Sequence, residues 1–189
     1  MSALSEATLD RGVSLLGSAS GLHNLFAALE AAEPIRLGVV GASVGQNAGC
    51  LAQPGKRCMA YSGRAGSSGR GFAVRLLDHI NRTYPHAGHS IANAALDATP
   101  AQNVADCLFS HLPDELHLVV LEFGSTANLL QLSAIERITR ALLALRRPPA
   151  LLTVSVHEWC SQKVTPRRLY RVGDHLMGKL RHAHMYVYL

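Results

Sequence analysis

Apolar positions along this chain follow two alternating rhythms. Short, mostly apolar runs at Ile35 to Val40, Ser90 to Ala95, His117 to Phe123, Ala150 to Val156 and Met185 to Leu189 have the length and β-branched content of strands. Between them apolar residues recur every three or four positions, the period of a helix that buries one stripe. Leu22, Leu25, Phe26 and Leu29 make such a stripe within Gly21 to Ala32. Phe72, Leu76 and Ile80, supported by Leu77 and Tyr84, make another that Pro85 ends. Thr99 as N-cap and Pro100 at the first helical position introduce a third, carrying Val104, Cys107 and Leu108. Ile135, Ile138, Leu142 and Leu145 define a fourth that stops before Pro148 and Pro149, and Leu169, Val172, Leu176 and Leu180 trace the last.

Strand and helix thus alternate from residue 35 onward, which predicts parallel strands joined by right-handed crossovers. The expected fold is α/β: a flavodoxin-like three-layer α/β/α arrangement around a five-stranded parallel sheet. Residues 1–34 read as an N-terminal helical extension and residues 35–189 as the α/β domain, with no internal repeat. The run at His117 to Phe123 is apolar enough to be covered on both faces, as a central parallel strand is.

Composition narrows the class. A chain of 189 residues, 48% apolar and 16% charged, supports one sizeable core and excludes disorder throughout. The net charge of +5 is concentrated late, with ten Lys/Arg against three Asp/Glu after residue 130. Those arginines fall on expected helix faces without interleaved aromatics or a nucleic-acid motif, so they read as a solvated face and no nucleic-acid partner is expected. Ser62 to Gly71 is a flexible basic run that reads as a solvated loop, with a substrate-facing edge as the alternative. Cys50, Cys58, Cys107 and Cys160 lack zinc-ligand spacing, so no metal is expected. Cys50 with Cys58 could close a loop in an oxidising compartment and all four could stay reduced in the cytosol, which leaves the localisation unknown. Residues 1–20 lack the pattern of a signal peptide, and no apolar run reaches the ~18 residues of a membrane span.

The chemistry centres on Arg36 to Gly49, an apolar strand that breaks at Gly41 into a turn of small residues bearing Ser43. Residues 41–45 fit G-x-S-x-G, the nucleophile elbow of α/β-hydrolases, yet that fold needs several strands before its elbow and only one helical region precedes this one. Gly38, Gly41 and Gly45 suggest a loose dinucleotide-binding turn, but the G-x-G-x-x-G spacing and the acidic residue about 20 positions on are missing. A P-loop fails because no Gly-Lys-Ser/Thr follows. What remains is a serine placed directly after the first parallel strand, at the edge where such sheets bind ligands. Ser43 is therefore a candidate nucleophile; its ordinary alternative is a helix N-cap.

Three blocks in order carry a resemblance. Gly41-Ala42-Ser43 with Gly49-Cys50, then His89-Ser90-Ile91-Ala92-Asn93-Ala94-Ala95, then Leu118-Val119-Val120-Leu121-Glu122-Phe123-Gly124 resemble the SGNH (GDSL-like) hydrolase family over roughly residues 35–189. The resemblance implies ester hydrolysis through an acyl-enzyme without a cofactor, on a small-molecule or carbohydrate ester. Ser43 would attack, with the Ser43 amide, the Ala94 amide and the Asn128 side chain as oxyanion donors. Ala94 stands where the family has glycine, and direct alignment puts Thr126 nearer the third donor's place, so Asn128 fits only with a shift. Asn93 and Asn128 have ordinary readings as a turn residue and an N-cap.

The base is the gap. The family carries Asp-x-x-His beyond its fifth strand, and this chain reaches Leu189 within that strand, so it resembles an SGNH domain truncated before that block, with impaired catalysis. Asp114-Glu115-Leu116-His117 spells the pattern but precedes the third strand, at the wrong edge; Asp174-His175 lies within the last expected helix. His157 follows the fourth strand on the correct edge and is the remaining base candidate, with a structural role as the ordinary reading. Without a base, general-base assistance of about 10²–10⁴-fold is lost. The alternatives are a non-catalytic SGNH-like binding domain or a gene-model fragment and, further off, a dinucleotide-binding domain.

Overall fold

The computed structural model of the protein describes residues 13–16, 20–46, 51–53, 56–57, 71–96, 98–123, 132–155 and 185–188. In chain order these form β1 (Val13–Leu16), α1 (Ser20–Glu30), β2 (Arg36–Gly41), β3 (Leu51–Gln53), β4 (Lys56–Arg57), α2 (Phe72–Thr83), β5 (Ser90–Asn93), α3 (Ala101–Asp106), α4 (Leu108–His111), β6 (Leu118–Glu122), α5 (Leu132–Leu143), β7 (Ala150–Ser155) and β8 (Met185–Tyr188).

Local sequence explains where the helices end. Tyr84 precedes Pro85, whose ring disfavours the helical region for its predecessor. Tyr84 sits accordingly at φ −128°, ψ 80°, and its N–H makes the last helical bond, to Ile80 O. Helix α1 closes differently. Ala32 adopts φ 53°, its N–H reaches Leu29 O, and the Glu33 N–H reaches Ala28 O, the paired bonds of a Schellman motif. The helix expected to start at Pro100 starts one residue later: Pro100 is its N-cap without a side-chain bond, and Thr99 instead donates its N–H to Leu96 O. At Cys107 that helix breaks into α3 and α4; the Cys107 thiol is free and donates to Asn103 O.

The sheet runs β5-β2-β6-β7-β8-β1. Strands β5, β2, β6 and β7 form its parallel core, with Leu37 opposite both Ile91 and Leu118, and Leu118 opposite Ala150. Strand β8 continues parallel beside β7, and β1 pairs antiparallel with β8. The wholly parallel five-stranded sheet expected from sequence is corrected at that edge, since residues 13–16 lie inside the segment read as a helical extension. Four residues are too few to show a period, so Val13 to Leu16 gave no strand signal. The β3–β4 pair, antiparallel with Leu51 opposite Arg57, likewise falls in a stretch read as loop.

Among the described residues two apolar cores lie on the two faces of the sheet. One gathers Leu25 and Leu29 of α1 and Ala73 and Ile80 of α2 against Leu37, Val39, Ile91, Leu118 and Val120. The other gathers Val104 of α3, Leu108 of α4, and Ile135, Ile138 and Leu142 of α5 against Val40, Val119, Leu121 and Leu151. All five residues of β6 are buried, as a strand covered on both faces requires. This is α/β architecture with a parallel sheet, consistent with a three-layer flavodoxin-like arrangement. Among the described residues no helix is long and apolar enough to cross a membrane. Cys50, Cys58, Cys160, the expected last helix and the basic run up to Arg70 lie outside the described residues.

Candidate active site at the carboxyl edge of the sheet

From β2 the chain crosses through α2 to β5 on one side; from β5 it returns through α3 and α4, on the opposite face, to β6 on the other side. That reversal puts a topological switch point at the carboxyl ends of β2 and β6, the place where open parallel sheets bind ligands. The turn carrying Ser43 stands there.

Close backbone approach builds the turn. Gly41 lies opposite Glu122, and the Ala42 N–H extends the ladder one step by donating to Glu122 O at 3.1 Å. A Cβ at Gly41 would overlap the Glu122 carbonyl oxygen, so no other residue fits that backbone. Residues 43–46 then turn, closed by the Gln46 N–H to Ala42 O at 3.1 Å.

Side chains from both flanking strands hold the far side of the turn. Gly45 N–H donates to Glu122 Oε2 at 3.0 Å, a buried bond. Asn93, the last residue of β5, donates Nδ2–H to Gly45 O at 3.0 Å and accepts the Ala95 N–H on Oδ1 at 3.0 Å. Leu96 N–H reaches Gly41 O at 3.1 Å. Ser43 is half-buried, and among the described residues neither its amide nor that of Val44 has an acceptor. The structure thus brings Ser43 and Asn93 to one edge. Asn93 keeps its turn role, through the Ala95 amide, and adds a bond across to the Ser43 turn.

Ala94 stands differently from its expected role. Its N–H continues the sheet ladder into Val39 O at 2.8 Å, because β5 is still in register with β2 at that point. That amide is spent on the sheet. Asn128 and the rest of 124–131, and His157, lie outside the described residues.

Glu122 is the residue that sequence reading passed over as part of the site. Its side chain is fully buried at the end of an apolar strand. A signal was there: a lone charged residue closing Leu118-Val119-Val120-Leu121 at the carboxyl edge has no packing reason to be charged.

Asp114 and His117 sit at the opposite edge. His117 Nδ1 accepts the N–H of Arg36, the first residue of β2, roughly 17 Å from Gly41 at about 3.3 Å per residue. Burial lowers the His117 pKa from its ordinary 6.5; Arg147 and Arg36 push the same way, while Glu33 and Glu115 oppose. A cavity of about 770 Å³ opens on this edge between α1 and the loops preceding β6 and β7, lined by Glu33, Asp114, His117 and Arg147 among others. It is at the amino ends of the strands and shares no residue with the Ser43 turn. Among the described residues no three His, Cys, Asp or Glu side chains are grouped to hold a metal ion.

No protein-family model matches the sequence, and no curated protein matches it. Solved structures do. A two-domain esterase active on acetylated mannans, co-crystallised with mannopentaose, aligns at TM-score 0.74 and 15% identity over 94% of this chain and 44% of that one. A second structure of a two-domain esterase active on acetylated mannans aligns at TM-score 0.73 and 15% identity, with the same coverage. A tail fibre protein of an E. coli phage aligns at 0.55 and 14% identity, over 87% of this chain and 22% of that one. The chain spans less than half the length of the esterase structures it matches, and at such identity the likeness is one of fold: this chain is built on an α/β scaffold similar to theirs.

Proposed function

We propose that the chain is an SGNH-type serine ester hydrolase acting on acyl esters, with acylated carbohydrate as the substrate class. The observation that carries this reading is the placement of Ser43 on a turn at the β2/β6 switch point, gripped by Glu122 and Asn93 from the two flanking strands. The fold shared with an esterase active on acetylated mannans supports the choice of substrate.

In this reading Ser43 Oγ attacks the acyl carbonyl carbon while its proton passes to a base. The ester C–O bond breaks, the sugar hydroxyl leaves with a proton, and water hydrolyses the acyl-serine. The Ser43 and Val44 amides face the developing oxyanion, where preset donors supply most of the stabilisation. Asn128, in the segment after β6, is assigned as the side-chain donor. His157, two residues beyond β7, is assigned as the base. Slow turnover is part of the reading, because general-base assistance of about 10²–10⁴-fold rests on His157 alone.

A fluorophosphonate probe tests this directly. Ser43 is expected to be labelled, Ser43→Ala to abolish labelling with the fold unchanged, and His157→Asn to slow it about 10²-fold or more. A folded chain that never labels at Ser43 refutes the hydrolase reading and, if it still binds acetylated mannan, makes it a binding domain.

A further inference from the structure

We infer that Glu122 and Asn93 are positioning residues that grip the two backbone groups of Gly45 and thereby fix the Ser43 turn; the inference rests on the reading of Ser43 as nucleophile. A fully buried carboxyl is a poor choice for stability, because burying such a group costs free energy that an apolar residue of similar size avoids. Strand β6 is otherwise Leu and Val, so Glu122 is its single ionisable residue.

What Glu122 does is hold the turn at two places. Its carbonyl oxygen accepts the Ala42 N–H at 3.1 Å and its Oε2 accepts the Gly45 N–H at 3.0 Å. Ser43 and Val44 are the two residues between those anchors, and theirs are the amides left without an acceptor among the described residues. Tying down the flanking donors to one residue of β6 leaves the intervening pair of amides for a ligand at the switch point.

Asn93 secures the remaining backbone group. Its amide orientation is set by both partners at once: Oδ1 takes the Ala95 N–H, which leaves Nδ2 to donate to Gly45 O, and the flipped amide would lose both bonds. Bonds in such a chain polarise one another. Space agrees, since a Cβ on Gly45 would sit 2.9 Å from Ala95 Cβ, so the residue in the grip has no side chain.

The test uses Glu122→Leu, Glu122→Gln and Asn93→Ala in the full chain, each checked for folding by circular dichroism. Two quantities are read: hydrogen exchange of the Gly45 amide by NMR, and the rate of fluorophosphonate labelling at Ser43. Glu122→Leu is expected to lose Gly45 amide protection and to label on the order of 100-fold more slowly, the size of effect that displacing a reacting group by about 1 Å can have. Glu122→Gln keeps an acceptor oxygen and is expected to restore both quantities toward wild type, while Asn93→Ala slows labelling with the Gly45 amide still protected. A folded Glu122→Leu protein with wild-type exchange and wild-type labelling overturns the inference. Should Glu122→Leu not fold, Glu122→Gln and Asn93→Ala decide: an unlabelled Glu122→Gln, or an Asn93→Ala protein labelling at the wild-type rate, overturns it. If wild type itself never labels at Ser43, the hydrolase reading falls, and the Gly45 exchange in Glu122→Leu still decides the grip.

Discussion

Moving one methyl group between Gly45 and Ala95 measures how tightly the Ser43 turn is packed. The Gly45 backbone lies outside the left-handed region, so alanine meets no conformational obstacle there. What it meets is Ala95 Cβ at 2.9 Å, well inside the 3.5–4.0 Å optimum for two carbons, while its contacts with Ala42 O at 3.4 Å and Gly41 Cα at 3.6 Å are ordinary. Overpacking of this kind costs about 1–3 kcal/mol, against which the stiffer unfolded chain returns about 0.4–1 kcal/mol. Gly45→Ala should therefore destabilise by about 1–2 kcal/mol. Ala95→Gly removes a buried methyl and adds backbone freedom, again about 1.5 kcal/mol. In the double variant the new methyl fills the space the old one left, so the two effects should fall short of additivity by about 1 kcal/mol or more. Urea denaturation of the four proteins measures the cycle. Additivity within about 0.5 kcal/mol would show that the two positions do not touch, and with it would fail the account of why Gly45 lacks a side chain.

Two further predictions concern the remainder of the fold. Ala32→Gly should raise stability by up to about 1 kcal/mol in thermal or urea unfolding, because alanine at φ 53° bears a left-handed penalty that glycine escapes in the same Schellman motif. His117→Asn should flatten the acid side of the stability profile: the folded His117 pKa lies below 6.5, so its contribution is complete above 6.5 and lost as pH falls through the folded value, whereas Asn keeps an acceptor for Arg36 N–H without titrating. Urea midpoints of the two proteins that run parallel between about pH 8 and about pH 5 would contradict this.

How much of this could be read from the letters follows from the physics of each element. The strands of the parallel core were legible because burial on both faces forces unbroken apolar runs, as in Leu118 to Leu121. The stripe of α5 was legible for the complementary reason, since a helix between sheet and solvent buries one face: Ile135, Ile138 and Leu142 are buried as expected, while Leu145 lies past the helix end and is partly buried. Strand β1 was not: four residues pairing with β8 only through tertiary contact leave no period. In the site, sequence order placed Ser43 and Asn93 on one edge because both follow parallel strands, a consequence of topology. The Ala94 amide, which the resemblance implies as an oxyanion donor, is taken up by Val39 O because β5 keeps its register with β2 one residue past its end. Sequence reading passed over Glu122 because a residue acting through its neighbour's backbone matches no motif.

The two ends of β2 are held by side chains in two different ways. At the amino end, Ile35 N–H donates to His89 Nδ1 and Arg36 N–H to His117 Nδ1, so the entrance to β2 is held by one side chain preceding β5 and one preceding β6. The same two strands hold the exit, through Asn93 and Glu122. At the entrance the side chains satisfy donors at the start of the strand itself, and His89 passes its other nitrogen on to Tyr84 O at 2.7 Å; those bonds complete the sheet. At the exit the ladder has already been completed by Ala42, and the side chains reach past it to Gly45, a residue that pairs with no strand. Securing the sheet would need nothing beyond Ala42. At the exit Glu122 and Asn93 reach beyond the completed ladder to the turn that carries Ser43, which on the proposed reading is the residue they position.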